Sequence, residues 1–463
     1  MKSMSANSIE GLIISVSGMR GIVGKNLTAS IATEYGCAFG EFLKRKEHTG
    51  KQSVCIGTDS RPSGYMLKAA VSAGLTSVGI SVIDLGLVTT PGVGVSLREL
   101  ACAGGVIITA SHNPVQYNGI KLLLDNGMAP PPEDAGAIKK IFCEKNFTYS
   151  DSTKCGKVTF DNKAGERHID KVLAIVDKRL IESKKFKVAL DSVNGAGGPV
   201  TKKLLSRLGC EVFAINDEPT GIFAHTPEPT AENLKDFCAI VKDKQAEIGF
   251  AQDPDADRLA IADENGNYPG EEYTLALAVK YILSKSAGSA AANLSTSRMI
   301  DDIAAKSESK VYRTPVGEAN VAKAMLEHNC IIGGEGNGGV IDLRVGPIRD
   351  SLVGIALILQ MMAKTGKTIS QLISEIGHYQ MIKEKFAADK SQVQRIMDAA
   401  KKLFAQARLN SSDGYRFDFD DAWLHIRPSN TEPVMRIIAE AREQSVARKY
   451  VDEVLRIGEG NRI

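Results

Sequence analysis

A chain of 463 residues is too long for one hydrophobic core, and it predicts about three or four domains. Apolar residues make up 43% and charged residues 24%, enough for each domain to bury a normal core. Fifty-seven lysines and arginines nearly balance 55 aspartates and glutamates, a net charge of +2, which argues against a general nucleic-acid-binding surface.

Along the chain, apolar strand-like runs alternate with helical patterns, which predicts α/β units with parallel or mixed sheets. Residues 53–57 read as a buried strand, 64–78 as the helix after it and 81–85 as the next strand. Residues 104–109 read as a buried strand that delivers Ser111 at its C-terminal end, where ligand chemistry in α/β sheets concentrates. The pattern recurs with a strand at 186–191, a glycine-rich turn at 194–198, a helix to Leu208 and a strand at 248–251. A third round holds the 293–296 segment, the 314–317 turn and a strand at 330–333. The tail differs: a helix over 391–408, a turn at Gly414, strands at 415–419 and 422–426, and a final helix after Glu440. Linkers are expected at 151–156 and 262–269. The expected architecture is three related α/β domains plus a smaller C-terminal α+β domain, divided at 1–155, 156–262, 263–378 and 379–463.

The eight cysteines are scattered and form no C-x-x-C pair, which fits reduced thiols better than a disulfide framework or a zinc site. No apolar run approaches the length of a membrane span, and the start of the chain lacks a signal-like apolar region. The expectation is a cytoplasmic chain with no membrane and no nucleic-acid partner, as monomer or homodimer.

Four blocks carry chemistry. The first is Thr109-Ala110-Ser111-His112-Asn113-Pro114 with Lys121 downstream, a serine on a Gly/Asn/Pro-rich loop beside groups able to supply positive charge and proton transfer. Alone it reads more readily as a turn with a helix-capping serine, and it matches no G-x-S-x-G elbow. The second is Asp253-Pro254-Asp255-Ala256-Asp257-Arg258, whose alternate carboxylates after a strand can converge on one hard cation such as magnesium. An EF-hand is the competing metal reading, with Glu264 at its twelfth position, and Arg258 argues against it by standing where that loop needs glycine for its sharp turn. The third, residues 333–339, combines glycines that permit close backbone approach with Glu335 and Asn337 as hydroxyl-binding groups; its spacing fits neither a Rossmann nor a Walker loop. The fourth is Arg427-Pro428-Ser429-Asn430-Thr431, a phosphate cradle by donor content. Arg20 and Arg61 each sit on a Gly-containing loop and are read as groups for anionic ligands or surface pairs.

Together and in this order, the blocks resemble the α-D-phosphohexomutase superfamily, over about residues 17–436. That resemblance implies a mutase in which phosphorylated Ser111 donates to a hydroxyl of a hexose monophosphate. A hexose 1,6-bisphosphate then serves as intermediate and activator. It implies Mg²⁺ held by Asp253, Asp255, Asp257 and the Ser111 phosphate, with Arg20, His112, Lys121 and Arg258 lining the reaction centre and Lys121 as general acid/base. Glu335 and Asn337 fall in its sugar-recognition loop, Thr314 and Gly317 in a further ligand-facing turn, and Arg427, Ser429, Asn430 and Thr431 in its phosphate-binding loop. The substrate expected first is glucosamine 6-phosphate/glucosamine 1-phosphate, with a broad phosphomannomutase/phosphoglucomutase as the alternative. Asn337, Gly338 and Gly339 replace the Ser-Gly-His of many bacterial relatives and look like the archaeal-type branch. Ala256 replaces a frequent glycine and is expected to be tolerated for its size. A metal-dependent phosphohydrolase lacks a water-activating His/Asp cluster here, and a non-catalytic sensor predicts an eroded serine or metal block, whereas both are intact.

Overall fold

The structure is a computed structural model of the chain and describes residues 11–16, 18–46, 52–428 and 434–458. It divides into two compact units, Met1–Thr274 with Gly338–Ser370, and Leu275–Asn337 with Gln371–Ile463.

The first unit carries two sheets. One contains β1 (Ile13–Ser15), β2 (Gly18–Ile22), β3 (Ser53–Thr58), β4 (Ser81–Leu87), β5 (Gly104–Ile108), β6 (Tyr117–Leu124) and β7 (Val158–Phe160), in the order β1-β2-β6-β5-β3-β4-β7. It is mixed: β3 pairs parallel with β4 and β5, and β4 with β7, while β5, β6, β2 and β1 run antiparallel. β5 is buried along its whole length, as strands covered on both faces are. Downstream of the serine loop the chain is strand from Tyr117, so Lys121 has a fixed register opposite Ile107. Gly18 makes this edge possible. Its φ of +100° suits glycine, and a Cβ there would sit 2.1 Å from the Ile120 carbonyl oxygen. Arg20 is thereby set opposite Gly119.

The second sheet contains β8 (Lys187–Asp191), β9 (Glu211–Ile215), β10 (Ile248–Gln252) and β11 (Leu259–Ala262). β8 is parallel to β9 and β10, and β11 returns antiparallel on β10. The acidic block is the β10–β11 connection. The helix Ser351–Thr365 belongs to this unit and is buried over nearly its whole length, as its almost unbroken apolar sequence requires. Asp350 caps it, accepting from the N–H groups of Leu352 and Val353.

In the second unit β12 (Ala290–Asn293) lies between β13 (Val311–Thr314) and β14 (Ile332–Glu335), parallel to both. The strand expected at 330–333 is shifted two residues, so Glu335 ends it; β15 (Gly339–Ile341) follows in sequence. The C-terminal sheet is antiparallel: β16 (Gln380–Ala387), β17 (Arg408–Asn410), β18 (Tyr415–Asp418), β19 (Ala422–Pro428) and β20 (Val434–Ala441), ordered β16-β20-β19-β18-β17. The helices Lys390–Leu403 and Gln444–Gly458 share its apolar core. The helix expected over 391–408 ends at Leu403. Phe404 caps it and turns into the core against Phe417, Phe419 and Tyr450, and Arg408 already begins β17.

The eight cysteines are free thiols. Among the described residues no single helix is long and apolar enough to cross a membrane.

Candidate active site

Ser111 follows β5 in a left-handed backbone conformation, φ +50°, and is 3% exposed. For a non-glycine residue this conformation costs about 1 kcal/mol or more, so neighbouring contacts must hold it. Its N–H donates to Thr109 Oγ1 at 2.9 Å, and that hydroxyl donates to Asp59 Oδ2 at 2.6 Å. Its own Oγ donates to Asp253 Oδ2 at 2.9 Å and lies 3.4 Å from His112 Nδ1.

Arg61 is where the sequence reading is corrected: it does not face an anionic ligand. Its side chain is fully buried, and all five of its N–H groups are used inside the protein. Nε donates to Asp59 Oδ2; Nη1 to the carbonyls of Pro114 and Tyr117; Nη2 to those of Ser111 and Asn113, both at 2.6 Å. The guanidinium therefore clamps the 111–117 loop from behind. The Phe223 ring lies 4.9 Å from its Cζ. That approach depends on Gly221, at φ +69°, where a Cβ would meet the Ser60 carbonyl at 2.0 Å.

The three carboxylates of the second block are buried, with oxygens within 4.8 Å of one another. Asp253 Oδ1 accepts the backbone N–H groups of Asp257 and Arg258. Asp255 Oδ2 accepts from Thr90 Oγ1 at 2.6 Å and Lys121 Nζ at 2.7 Å. Asp257 Oδ2 accepts from Arg349 Nη2 at 2.7 Å, with Lys121 Nζ at 3.6 Å. Asp255 Oδ1 and Asp257 Oδ1 are buried without a hydrogen-bond partner. Buried carboxylate oxygens without a protein hydrogen-bond partner are costly and suit a small hard dication, so the residues fit the magnesium that the resemblance implies. Ala256 lies at φ +55°. The glycine frequent in relatives thus answers to backbone conformation, not to the size that the sequence reading considered.

Arg20 Nη1 donates to Asn113 Oδ1 at 2.6 Å, and Arg258 Nη1 lies 3.8 Å from Glu228 Oε1. Burial, reinforced by Arg258 and Arg20, pushes the His112 imidazole down to about 2. The shift favours the neutral ring, which can hydrogen-bond beside Ser111 Oγ. Burial opposes the charge on Lys121, but Asp255 and Asp257 outweigh it and raise the ammonium's pKa, so it stays protonated. Burial and the neighbouring Asp255 and Asp257 raise the Asp253 carboxyl well above the ordinary range.

Arg349 and Thr90 are missing from the sequence reading. Neither lies in a block that announces chemistry; Arg349 stands just before a helix cap and Thr90 just after one.

In the second unit, Glu335 Oε1 accepts from Asn293 Nδ2 at 2.7 Å and from the Gly317 N–H at 3.0 Å. Asp413 Oδ2 accepts from the Val316 N–H at 2.9 Å and Arg427 Nη1 at 3.1 Å. Glu335 and Gly317 thus meet directly, and Arg427 reaches the same turn through Asp413, a residue the sequence reading passed over. Thr314 Oγ1 turns to its neighbour's carbonyl, Pro315 O, and Asn337 Oδ1 is buried without a partner. Ser429, Asn430 and Thr431 lie outside the described residues.

His425 Nε2 lies 2.7 Å from the Asp413 carbonyl, which only accepts; Nε2 therefore carries the proton and Nδ1 accepts from Ser295 Oγ at 2.9 Å. Burial pushes this imidazole down to about 4. A depressed folded-state pKa gives stability that is full above about pH 6.5 and lost as pH falls toward the folded value. Denaturant unfolding between pH 7 and pH 4.5 should cost the wild type about 2 kcal/mol more than His425→Gln. Equal losses in the two proteins would contradict this.

A buried serine, an acidic cage able to take a dication and nearby cations, carried on a four-domain α/β chain, are the arrangement expected of the phosphohexomutase class. The phosphoglucomutase/phosphomannomutase family models match in order: alpha/beta/alpha domain I at residues 12–149, domain II at 166–266, domain III at 270–379 and the C-terminal domain at 382–457. The chain belongs to this family. It is 39% identical over 449 residues to the phosphoglucomutase/phosphomannomutase of Thermococcus kodakarensis, covering 96% of this chain and 97% of that one. It is 36% identical over 452 residues to a protein of Methanopyrus kandleri named "Probable phosphoglucosamine mutase", covering 96% and 98%. The crystal structure of a phosphoglucomutase/phosphomannomutase family protein from Burkholderia thailandensis matches with a TM-score of 0.86 at 25% identity, covering 98% of each chain.

Proposed function

We propose that this mutase interconverts hexose 6-phosphates and hexose 1-phosphates through a phosphoserine at Ser111 and a hexose 1,6-bisphosphate, with the glucosamine phosphates as preferred substrates. The observation that carries the reading is the Ser111 hydroxyl, 2.9 Å from Asp253 Oδ2, in a loop clamped so that Oγ faces the carboxylate cage. Phosphoryl transfer needs positioning and charge neutralisation more than covalent help. Arg20, Arg258 and Lys121 supply fixed positive charge here, and neutral His112 a hydrogen bond beside Oγ. Asp253, Asp255 and Asp257 would hold Mg²⁺, which when bound adds neutralisation of the phosphoryl oxygens. As the phosphoryl group leaves Ser111 Oγ for a sugar hydroxyl, the serine regains a proton and the hydroxyl loses one; Lys121, kept protonated by Asp255, is assigned to give the first and to take up the second, returning to its ammonium form.

The work divides over four stretches: residues 1–155 for the nucleophile, 156–262 for the metal, 263–378 for the sugar and 379–463 for the second phosphate. Glu335 and Asn337 read sugar hydroxyls, Thr314 and Gly317 shape the adjoining turn, and Arg427 with Ser429, Asn430 and Thr431 holds the non-reacting phosphate. The unpartnered Asn337 amide oxygen supports its place in this assignment. A broad phosphomannomutase/phosphoglucomutase is the second reading, favoured by the name of the Thermococcus relative.

The test supplies purified protein with Mg²⁺ and a trace of hexose 1,6-bisphosphate, and compares conversion of the 1-phosphates of glucosamine, mannose and glucose. We expect the highest kcat/KM on the glucosamine sugar. Comparable or higher values on mannose and glucose favour the second reading, and release of inorganic phosphate without isomerisation rejects both.

A further inference from the structure

We infer that Arg349 on Asp257 and Lys121 on Asp255, together with the backbone N–H groups on Asp253, make the carboxylate cage discriminate between dications by leaving each aspartate a single oxygen to offer. The inference rests on the proposed metal role of Asp253, Asp255 and Asp257 and adds which metal the cage admits.

The hydrogen bonds divide the six carboxylate oxygens into two sets. Asp253 Oδ1 is held by two backbone N–H groups at 3.1 Å, while its Oδ2 meets the mobile hydrogen of the Ser111 hydroxyl. Asp255 Oδ2 is held by Thr90 and Lys121, and its Oδ1 is buried and unpartnered. Asp257 Oδ2 is held by Arg349, and its Oδ1 is buried and unpartnered, with Arg258 Nε at 3.9 Å, beyond hydrogen-bond reach. In each aspartate one oxygen is engaged by fixed protein donors and the other is available.

This division bears on metal choice through coordination number. Ca²⁺ takes six to eight oxygens and exploits carboxylates that bind through both atoms, whereas Mg²⁺ prefers six in a compact octahedron and is satisfied by few carboxylates with waters or phosphate. Monodentate aspartates cap the ligand count the protein can supply. Asp255 is locked twice over, by a neutral hydroxyl and by Lys121. Asp257 is within hydrogen-bond reach of one of these cations alone, since Lys121 stands 3.6 Å away. Arg349 is therefore the residue whose removal opens a chelating carboxylate, and its side chain, 11% exposed, has little freedom to leave by itself.

The test is calorimetric titration of the full chain with MgCl₂ and, separately, CaCl₂, for the wild type and Arg349→Met. We expect the wild type to bind Mg²⁺ more tightly than Ca²⁺, and the variant to gain about tenfold in Ca²⁺ affinity without a matching gain for Mg²⁺. An unchanged Mg²⁺/Ca²⁺ ratio, or equal loss of both metals in a variant with wild-type circular dichroism, overturns the inference and leaves the magnesium reading standing. A wild type that binds neither dication overturns both. Infrared difference spectra of the wild type need no variant to fold. Mg²⁺ loading should give the wide carboxylate splitting of single-oxygen coordination, and the narrow splitting of bidentate coordination would refute the assignment.

Discussion

Ser111→Ala should reduce hexose phosphate interconversion by at least about 10⁴-fold, the scale on which removing a covalent nucleophile acts. The substitution is clean. Alanine bears the same φ of +50° at no greater cost than serine, and the Ser111 N–H and carbonyl contacts to Thr109 and Arg61 are made by backbone atoms that alanine retains. Only the Oγ contacts to Asp253 and His112 are lost. The melting temperature should therefore stay within a few degrees, and a coupled assay should find turnover at background. Incubation with hexose 1,6-bisphosphate followed by mass spectrometry should show a phosphorylated wild type and an unmodified variant. Near-wild-type turnover in Ser111→Ala would end the phosphoserine mechanism.

Arg61→Ala should destabilise the first unit by about 3–5 kcal/mol, the range for removing one partner of a buried ion pair. The loss has two parts. Four carbonyls at the 111–117 loop lose their donors, and Asp59, whose carboxyl burial already pushes up despite Arg61, loses its counter-charge. Arg61→Lys separates folding from positioning, because an ammonium keeps the charge but cannot present five planar donors. We expect Arg61→Lys to fold, with kcat lowered about 100-fold and KM changed little, since the clamp acts on the nucleophile's position and not on ground-state binding. A KM effect with kcat intact would mean that Arg61 serves the ligand, as its place on a Gly-containing loop first suggested.

The two cases show what kind of information the sequence carries. Ser111 and the Asp253, Asp255 and Asp257 triplet are legible as candidates because the pattern is local: a buried apolar strand runs into a polar turn, and the turn residues are the ones the structure brings together. Strand alternation likewise exposes the α/β organisation. Arg349 and Thr90 are invisible because their partners lie 92 and 165 residues away and nothing beside them in sequence is unusual. Arg61 is visible as a residue but not as a role; only burial and the direction of its five N–H groups distinguish a loop clamp from an anion hook. The downward shift of His112 is hidden for the same reason, since it comes from burial and from Arg258 and Arg20, all tertiary facts. The end of the helix at Leu403 depends on Phe404 finding aromatic partners further along the chain.

The guanidinium behind the 111–117 loop also has a kinetic meaning. A nucleophile pinned through its own backbone is ordered once, when the protein folds, and needs no reordering at each catalytic cycle. In the proposed cycle the same serine oxygen gives its phosphoryl group to one hydroxyl and takes one back from another. With the loop fixed, the turnaround between those half-reactions falls to the sugar, and the residence time of the bisphosphate, more than the mobility of the serine, sets how often a cycle runs to completion.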